Sequence, residues 1–200
     1  MKPLLLAVIA LGLIAPTVHA ERADRDKPLQ IEAAKHRYDD IKQVGWFEGD
    51  VLMIKGTLRV EGARLDFRKD AEGYEYAVVT GAKGGFATFR QRRDPTRPGV
   101  EEFVEGRAER IEYDGRAETL KLITRATWRR LENDVMADEI DGNLIVYDSR
   151  NQAVEGSGGG NANGDGRSRT IFAPRRDPAP APAPAVPLKP AVPTAPSKAK

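Results

Sequence analysis

The chain of 200 residues contains no cysteine. It therefore has no disulfide, no thiol nucleophile and no thiolate metal site. Aromatic residues make up only 6% of the sequence, which disfavours a stacking platform for carbohydrate. Basic and acidic residues nearly balance, at 32 and 30, and this argues against a protein dedicated to nucleic-acid binding.

Recognisable catalytic and cofactor motifs are also missing. His36 is the only histidine beyond residue 20 and lies inside a strand pattern, where a structural role is usual. No serine lies in a nucleophile elbow, and no glycine loop is of the phosphate-binding type. The stretch Asn161-x-Asn163-x-Asp165-Gly166 resembles the start of a calcium loop, but Phe172 stands where the twelfth-position carboxylate belongs. We expect no enzymatic activity, no metal and no cofactor, although carboxylate counts alone leave a paired-carboxylate glycosidase open.

The first twenty residues have the layout of an export signal. Lys2 precedes an apolar run from Leu4 to Ile14, which is short for a bilayer span. The triplet Val18-His19-Ala20 then predicts cleavage between Ala20 and Glu21. The alternative is a membrane anchor, but no stop-transfer pattern follows. We predict export to the periplasm.

Composition changes sharply at residue 174. Nine of the fourteen prolines lie at or beyond Pro174, in a tail that carries five basic residues and one acidic residue. Such a sequence predicts an extended, disordered tail at 174–200. Solvation is one interpretation of its charge, and contact with an anionic envelope surface is another. Ahead of it we predict a folded domain at 21–155 and a Gly/Asn-rich linker at 156–173 with room for a short strand.

The domain shows a repeated strand pattern of period two. Each of four segments has the same three positions: a small residue, then a ring or branched aliphatic three residues later, then an aromatic two residues after that. Because side chains two residues apart in a strand point the same way, the second and third positions share one strand face. The four segments are Ala33-x-x-His36-x-Tyr38, Gly62-x-x-Leu65-x-Phe67, Ala108-x-x-Ile111-x-Tyr113 and Gly142-x-x-Ile145-x-Tyr147. Asp39, Asp114 and Asp148 follow three of the aromatics and predict turns there.

Alternation elsewhere extends the strand prediction. Lys55-Gly56 and Asp114-Gly115 are expected hairpin turns, and changes of parity predict bulges near Ala33-Ala34 and at 61–63. The pattern indicates an all-β domain, a meander of antiparallel strands that twists and folds over itself.

The alternation within each strand also predicts which side chains point inward, and the position of the terminal strands predicts two sheet edges. The predicted inward positions, our candidates for a ligand-lined interior, are Leu29, Ile31, Val51, Met53, Leu58, Val60, Phe89, Ile111, Tyr113, Leu120 and Leu122. The terminal strands are predicted to be sheet edges that offer backbone groups to a partner. The residues expected there are Leu29, Ile31, Ala33, Leu144, Val146 and Val154.

Several sequence blocks, taken in order, resemble one known family. The blocks are Pro28-Leu-Gln-Ile-Glu-Ala33, Glu48-Gly-Asp-Val-Leu52, Lys55-Gly-Thr-Leu58, Ala63-Arg-Leu65, Ala87-Thr-Phe-Arg-Gln91 and Val104-Glu-Gly-x-Ala108. Together with the export signal they resemble the OstA-like family of periplasmic lipopolysaccharide-transport proteins over about residues 27–155.

The resemblance implies a fold and a function. The family fold is a twisted, incompletely closed β-jelly roll, V-shaped, with an apolar interior that binds the lipid A part of lipopolysaccharide. Members join head to tail, and to β-jelly-roll domains of inner-membrane and outer-membrane transport components, so that lipopolysaccharide crosses the periplasm for outer-membrane assembly. Energy comes from an ATPase elsewhere.

Two other classes of function stay open at this stage. One is a periplasmic scaffold whose interior is an ordinary filled core and whose edges join envelope proteins by strand addition. The other is an exported polysaccharide-binding or polysaccharide-cleaving β-protein. A lipid-sized cleft would speak against the first, and clustered exposed aromatics with a carboxylate pair would favour the second.

Overall fold

The computed structural model describes residues 24–94, 97–158 and 166–174, and all regular structure in these ranges is β-strand. No helix in this part of the chain is long and apolar enough to cross a membrane. The strands are β1 (Leu29–Glu32), β2 (Lys35–Asp39), β3 (Val44–Lys55), β4 (Leu58–Lys69), β5 (Glu75–Thr80), β6 (Ala87–Arg92), β7 (Glu102–Ala108), β8 (Arg110–Asp114), β9 (Thr119–Glu132), β10 (Val135–Asp148), β11 (Ala153–Ser157) and β12 (Arg169–Phe172).

Four long strands divide one antiparallel sheet into two layers. Each of β3, β4, β9 and β10 changes neighbours near its middle. On one side of the bends the order is β2-β3-β4-β5-β8-β9-β10-β11, which we name sheet A. On the other side it is β1-β3-β4-β6-β7-β9-β10-β12, which we name sheet B. The predicted all-β, incompletely closed roll is confirmed.

The bend between β3 and β4 has a clear backbone cause. The register shifts between Glu48 and Val51, where Gly49 adopts a φ of +84° in the left-handed region that glycine tolerates. On β4 the chain bends at Gly62, where a Cβ atom would lie 2.5 Å from Val79 Cγ1. The bulge predicted at 61–63 of β4 therefore lies instead on the partner strand, β3. Gly62 on β4 has no side chain that would collide with Val79 at the bend.

The repeated unit marks the passage from sheet B to sheet A. Its four small residues lie between β1 and β2, in the middle of β4, at the end of β7 and in the middle of β10; they are Ala33, Gly62, Ala108 and Gly142. After each crossing, the second and third positions share one face, and in β4, β8 and β10 that face is the core. In β2 the two rings are exposed, and His36 stacks on Phe47 with ring centroids 5.7 Å apart.

The predicted turns hold with one exception. Asp39, Asp114 and Asp148 accept hydrogen bonds from backbone N–H groups two or three residues on, at 2.9–3.1 Å. Gly56, with φ +58°, follows the end of β3 as expected. The prediction of a two-residue hairpin turn at Asp114-Gly115 is wrong, because Asp114 pairs with Thr119 and the loop between them has four residues. The aspartate side chain satisfies two loop amides and so favours the longer turn.

The chain ends complete the edges. β1 and β2 both pair with β3, and β11 and β12 both pair with β10, so each edge runs along both sheets. β12 lies within the segment 156–173 that the sequence assigns to a linker. The predicted export signal, the tail from residue 175 onward and the calcium-loop candidates Asn161, Asn163 and Asp165 lie outside the described residues.

Candidate functional site

The space between the two sheets is apolar. Side chains from both layers meet in one cluster, because alternate residues of every inner strand point toward the facing sheet. Nine of the eleven predicted inward residues are buried in it: Val51, Met53, Leu58, Val60, Phe89, Ile111, Tyr113, Leu120 and Leu122. The other two, Leu29 and Ile31, are half-buried on β1 and pack against the cluster. That these positions bind a ligand stays a prediction.

The centre of the interior is aromatic. Tyr147 of sheet A lies between Phe89 and Trp128 of sheet B, with ring centroids 6.4 and 5.9 Å away. Tyr147 and Ile145 were not among the predicted inward residues, although the repeated unit places both on one strand face. Ala77 and Val79 on β5 were also missed, because their outward neighbours Tyr76 and Val78 are apolar too and hide the alternation.

The interior is filled rather than open. Met53, Val60, Ile111 and Leu122 are each 0% exposed. A cavity that reaches Tyr113 and Leu120 from the outside is only about 30 Å³, roughly the space of one or two waters. The described residues therefore leave little free space between the two sheets.

The sheets are joined by polar contacts at the ends of their strands, a line that we name the seam. Lys55 Nζ at the end of β3 lies 2.8 Å from Glu75 Oε2 at the start of β5. Arg93, after β6, donates a hydrogen bond of 2.7 Å to the side-chain oxygen of Gln152, before β11. In both contacts a residue of sheet B reaches one of sheet A.

The segment before β1 closes one end of the seam. The Asp24 carboxylate is buried and accepts hydrogen bonds from the Thr57 backbone N–H at 2.8 Å, the Thr57 hydroxyl at 2.5 Å and the Gln91 amide at 3.1 Å. The next residue, Arg25, forms an ion pair with Glu118 in the β8–β9 loop of sheet A. Residues 24 and 25 thus tie the β3–β4 turn of sheet B to the facing sheet.

Charged groups replace apolar ones at the far end of sheet B. Glu102 is 0% exposed, with Oε2 3.8 Å from Arg130 Nη1, and Arg130 also donates to Asp138 and Glu132, each at 2.6 Å. The hydrogen bond from Arg130 lowers the pKa of Glu132. Burial opposes the charge of Arg130, but its hydrogen bonds to Asp138 and Glu132 outweigh burial and raise its pKa. The apolar interior therefore ends at an ionic network on this side.

Tyr113 shows the low polarity of the interior. Burial is the largest cause of its raised pKa, and the nearby carboxylate of Glu75 adds to the effect.

Among the described residues, no group of three or more histidine, aspartate or glutamate side chains could hold a metal ion.

The predicted edge residues are placed unequally. Leu29, Ile31 and Val154 lie on the edge strands β1 and β11, and Ala33 lies between β1 and β2. Leu144 and Val146 lie on β10, which pairs with β9 on one side and with β11 on the other. Their assignment to an edge is therefore corrected: the sequence 144–154 contains a hairpin, and its second strand forms the edge.

The architecture defines a class of protein. It is an open, bent antiparallel β-roll with an apolar interior and two edges, each of which spans both layers and has no further strand paired to it in the part of the chain that the structure describes. A sequence profile of the family described as LptA/(LptD N-terminal domain) LPS transport protein matches residues 30–153. The chain belongs to this family, as the sequence blocks predicted.

Individual relatives support the assignment. The lipopolysaccharide export system protein LptA of Haemophilus influenzae is 27% identical over 175 residues, which cover 86% of this chain and 91% of that protein. LptA of Escherichia coli K12 is 26% identical over 153 residues, which cover 76% of this chain and 78% of that protein. The crystal structure of LptH, the LptA homologous periplasmic component of the lipopolysaccharide transport device of Pseudomonas aeruginosa, has the same fold, with a TM-score of 0.60 at 22% identity over 76% of this chain and 99% of that chain.

Proposed function

We propose that this protein binds lipopolysaccharide through its lipid A part and carries it across the periplasm, as a bridge between inner-membrane and outer-membrane transport complexes in outer-membrane assembly. The observation that carries the proposal is the continuous apolar interior between two sheets that close against each other without closing into a barrel. Membership of a lipopolysaccharide-transport family supports the same substrate.

The physical need for such an interior is large. Each methylene of an acyl chain costs about 0.8 kcal/mol when it is exposed to water. The proposed site consists of the predicted inward residues together with the aromatic centre of Phe89, Trp128 and Tyr147. Since these side chains fill the space in the free protein, the acyl chains take their place only when the sheets separate at the seam. The bends of the four long strands would serve as the hinge.

The edges supply the bridge. In the described part of the chain no further strand pairs with β1 and β2 at one edge, or with β11 and β12 at the other, and their outer backbone N–H and C=O groups would accept an added strand. Addition of one copy's first edge to another copy's last edge is head-to-tail and can propagate. The same edges would join the β-jelly-roll domains of the membrane components, and the predicted signal at 1–20 would place the protein in the periplasm.

One observation favours a second function, a scaffold that binds no lipid. The interior is packed in the manner of an ordinary core, with Val60 and Leu122 fully buried. In that case the edges would join envelope proteins by strand addition, and the interior would only stabilise the fold.

Photocrosslinking distinguishes the two functions. A photoreactive residue at Phe89 or Val51, both buried and inward, should capture lipopolysaccharide. The matched positions Glu48 and Asp50, which lie outside the buried cluster on the same strand as Val51, should not. Equal capture at all four positions would contradict a lipid site in the interior, and so would the absence of capture at every position of a folded protein. Either result would favour the scaffold function.

A further inference from the structure

The outward face of sheet B carries two rows of polar side chains that run across its strands. The row nearer the strand ends consists of directly paired residues from β4 to β10: Arg59, Arg90, Glu105, Arg129 and Glu139. The second row consists of Glu61, Thr88, Arg107, Thr127 and Asp141. A groove of about 380 Å³ lies between and around them, lined by four arginines and two glutamates.

The first row contains a like-charge pair. Arg59 on β4 lies directly opposite Arg90 on β6. Such cross-strand pairs destabilise a sheet unless a counter-charge is close. Arg90 has carboxylates from Glu105 at 3.0 Å and Asp134 at 2.5 Å, whereas Glu61 at 3.9 Å is the one ion-pair partner of Arg59 within residues 24–94, 97–158 and 166–174. An anion in the groove would relieve this repulsion.

The second row offers a guanidinium between two hydroxyls. Arg107 pairs with Thr88 on one side and Thr127 on the other. Among the described residues no ion pair involves Arg107, whose guanidinium lies over the Phe86 ring at 4.9 Å. Stacking fixes the plane of the guanidinium and leaves its N–H edge available for a bidentate contact. Thr127 Oγ1 donates to Asp141 at 2.8 Å and so retains its lone pairs.

We propose that this groove binds a phosphorylated sugar, with Arg107 as the phosphate contact and Thr88 and Glu105 as partners for sugar hydroxyls. A volume of about 380 Å³ is within the range of about 300–1,000 Å³ that small-ligand sites occupy. The two glutamates repel a long polyanion but accept hydrogen bonds from hydroxyl groups. The guanidinium groups of Arg107 and Arg125 lie over the Phe86 ring, at 4.9 and 4.5 Å from its centroid, and compete with any base for stacking on this ring. These features favour a sugar phosphate over nucleic acid.

The groove opens on the outward face of sheet B, and it borders the interior at Phe89, which also belongs to the buried cluster. Its ligand can come from two sources with the same chemistry, a free sugar phosphate or a phosphorylated sugar on the glycan of lipopolysaccharide.

Calorimetric titration of the purified protein tests the proposal. The probes are glucose 1-phosphate, glucose, inorganic phosphate, and lipopolysaccharide before and after enzymatic removal of its phosphates. Arg107→Gln keeps an unbranched polar side chain but removes the guanidinium and its charge, and it should weaken binding of the phosphorylated probe at least about tenfold, which equals about 1.4 kcal/mol. Arg110→Gln, on β8 of sheet A, is the matched control and should have no effect. Both variants must retain the circular-dichroism spectrum and melting temperature of the parent protein.

The outcomes separate the sources and can overturn the inference. Binding of glucose 1-phosphate that depends on Arg107 supports a site open to free sugar phosphates. Binding of lipopolysaccharide alone, weakened both by loss of its phosphates and by Arg107→Gln, supports the glycan as the source. If no probe loses affinity in Arg107→Gln, or if inorganic phosphate binds as tightly as glucose 1-phosphate, the groove is not a sugar-phosphate site. The crosslinking test at Val51 is independent of these results, because Val51 is buried in the interior and does not line the groove.

Discussion

Removal of the Lys55–Glu75 contact should make the interior easier to enter. The ammonium of Lys55 and the carboxylate of Glu75 are 2.8 Å apart and join the two sheets at the seam, with side chains only 14% and 19% exposed. Lys55→Met keeps the length and apolar stem of the side chain but leaves Glu75 without this partner. The change destabilises the closed arrangement, in which Glu75 is largely shielded from water, more than an arrangement with the sheets apart.

The expected size follows from the burial of the pair. Loss of one partner of a fully buried pair costs about 3–5 kcal/mol, whereas exposed pairs contribute about 0–1 kcal/mol. With most of each side chain covered, we expect about 1–2 kcal/mol. If lipopolysaccharide binds only an open form that is sparsely populated, its apparent affinity rises in proportion to that population. An increase of about 5- to 30-fold is therefore expected.

Two measurements on the same variant test this expectation. Urea unfolding should show the loss of stability, and fluorescence-anisotropy titration with labelled lipopolysaccharide should show tighter binding. Arg64→Met is the control, because Arg64 contacts Glu48 and Asp66 outside the buried cluster and away from the seam. It should leave lipid affinity unchanged. If Lys55→Met lowers stability while affinity stays equal or falls, lipid does not enter by separation of the sheets at this seam.

Three further predictions follow from other parts of the chain. Deletion of 174–200 should leave the β-strand circular-dichroism signal and lipopolysaccharide affinity unchanged, and a large loss of affinity would assign lipid contacts to the tail. Ile31→Pro on β1 and Val154→Pro on β11 should each reduce concentration-dependent self-association in sedimentation while the monomer keeps its strand signal; undiminished association would exclude these edges. Because the Arg130 hydrogen bond holds the pKa of Glu132 below its ordinary 4.5, the unfolded chain takes up the proton first as pH falls. The urea midpoint of the parent protein should therefore decline as pH falls below about 4.5, and that of Glu132→Gln should decline less steeply. An equal decline in both proteins would contradict the stabilising role given to the Arg130–Glu132 hydrogen bond.

The sequence alone determined the fold class and the buried faces of most strands. Period-two alternation is local, so Val51, Met53, Leu58 and Val60 could be assigned to the interior without knowledge of their neighbours. The same holds for the turn aspartates, whose side chains bond to amides only two or three residues away. Family membership also followed from the sequence, through the order and spacing of blocks between residues 28 and 108.

Only the tertiary structure decided which strands lie at the edges and where the layers meet. Leu144 and Val146 have the alternation of an edge strand, but the chain turns back after Asp148 and β11 pairs with β10, so that β11 forms the edge. The seam joins residues far apart in sequence, such as Arg93 with Gln152, and no periodicity relates them. The outer groove likewise arises because cross-strand register brings Arg59, Arg90 and Arg107 together from three strands. Local patterns fix which face of a strand is buried, whereas edges, seams and grooves depend on which strands pair and in what register, and that is set by packing of the whole chain.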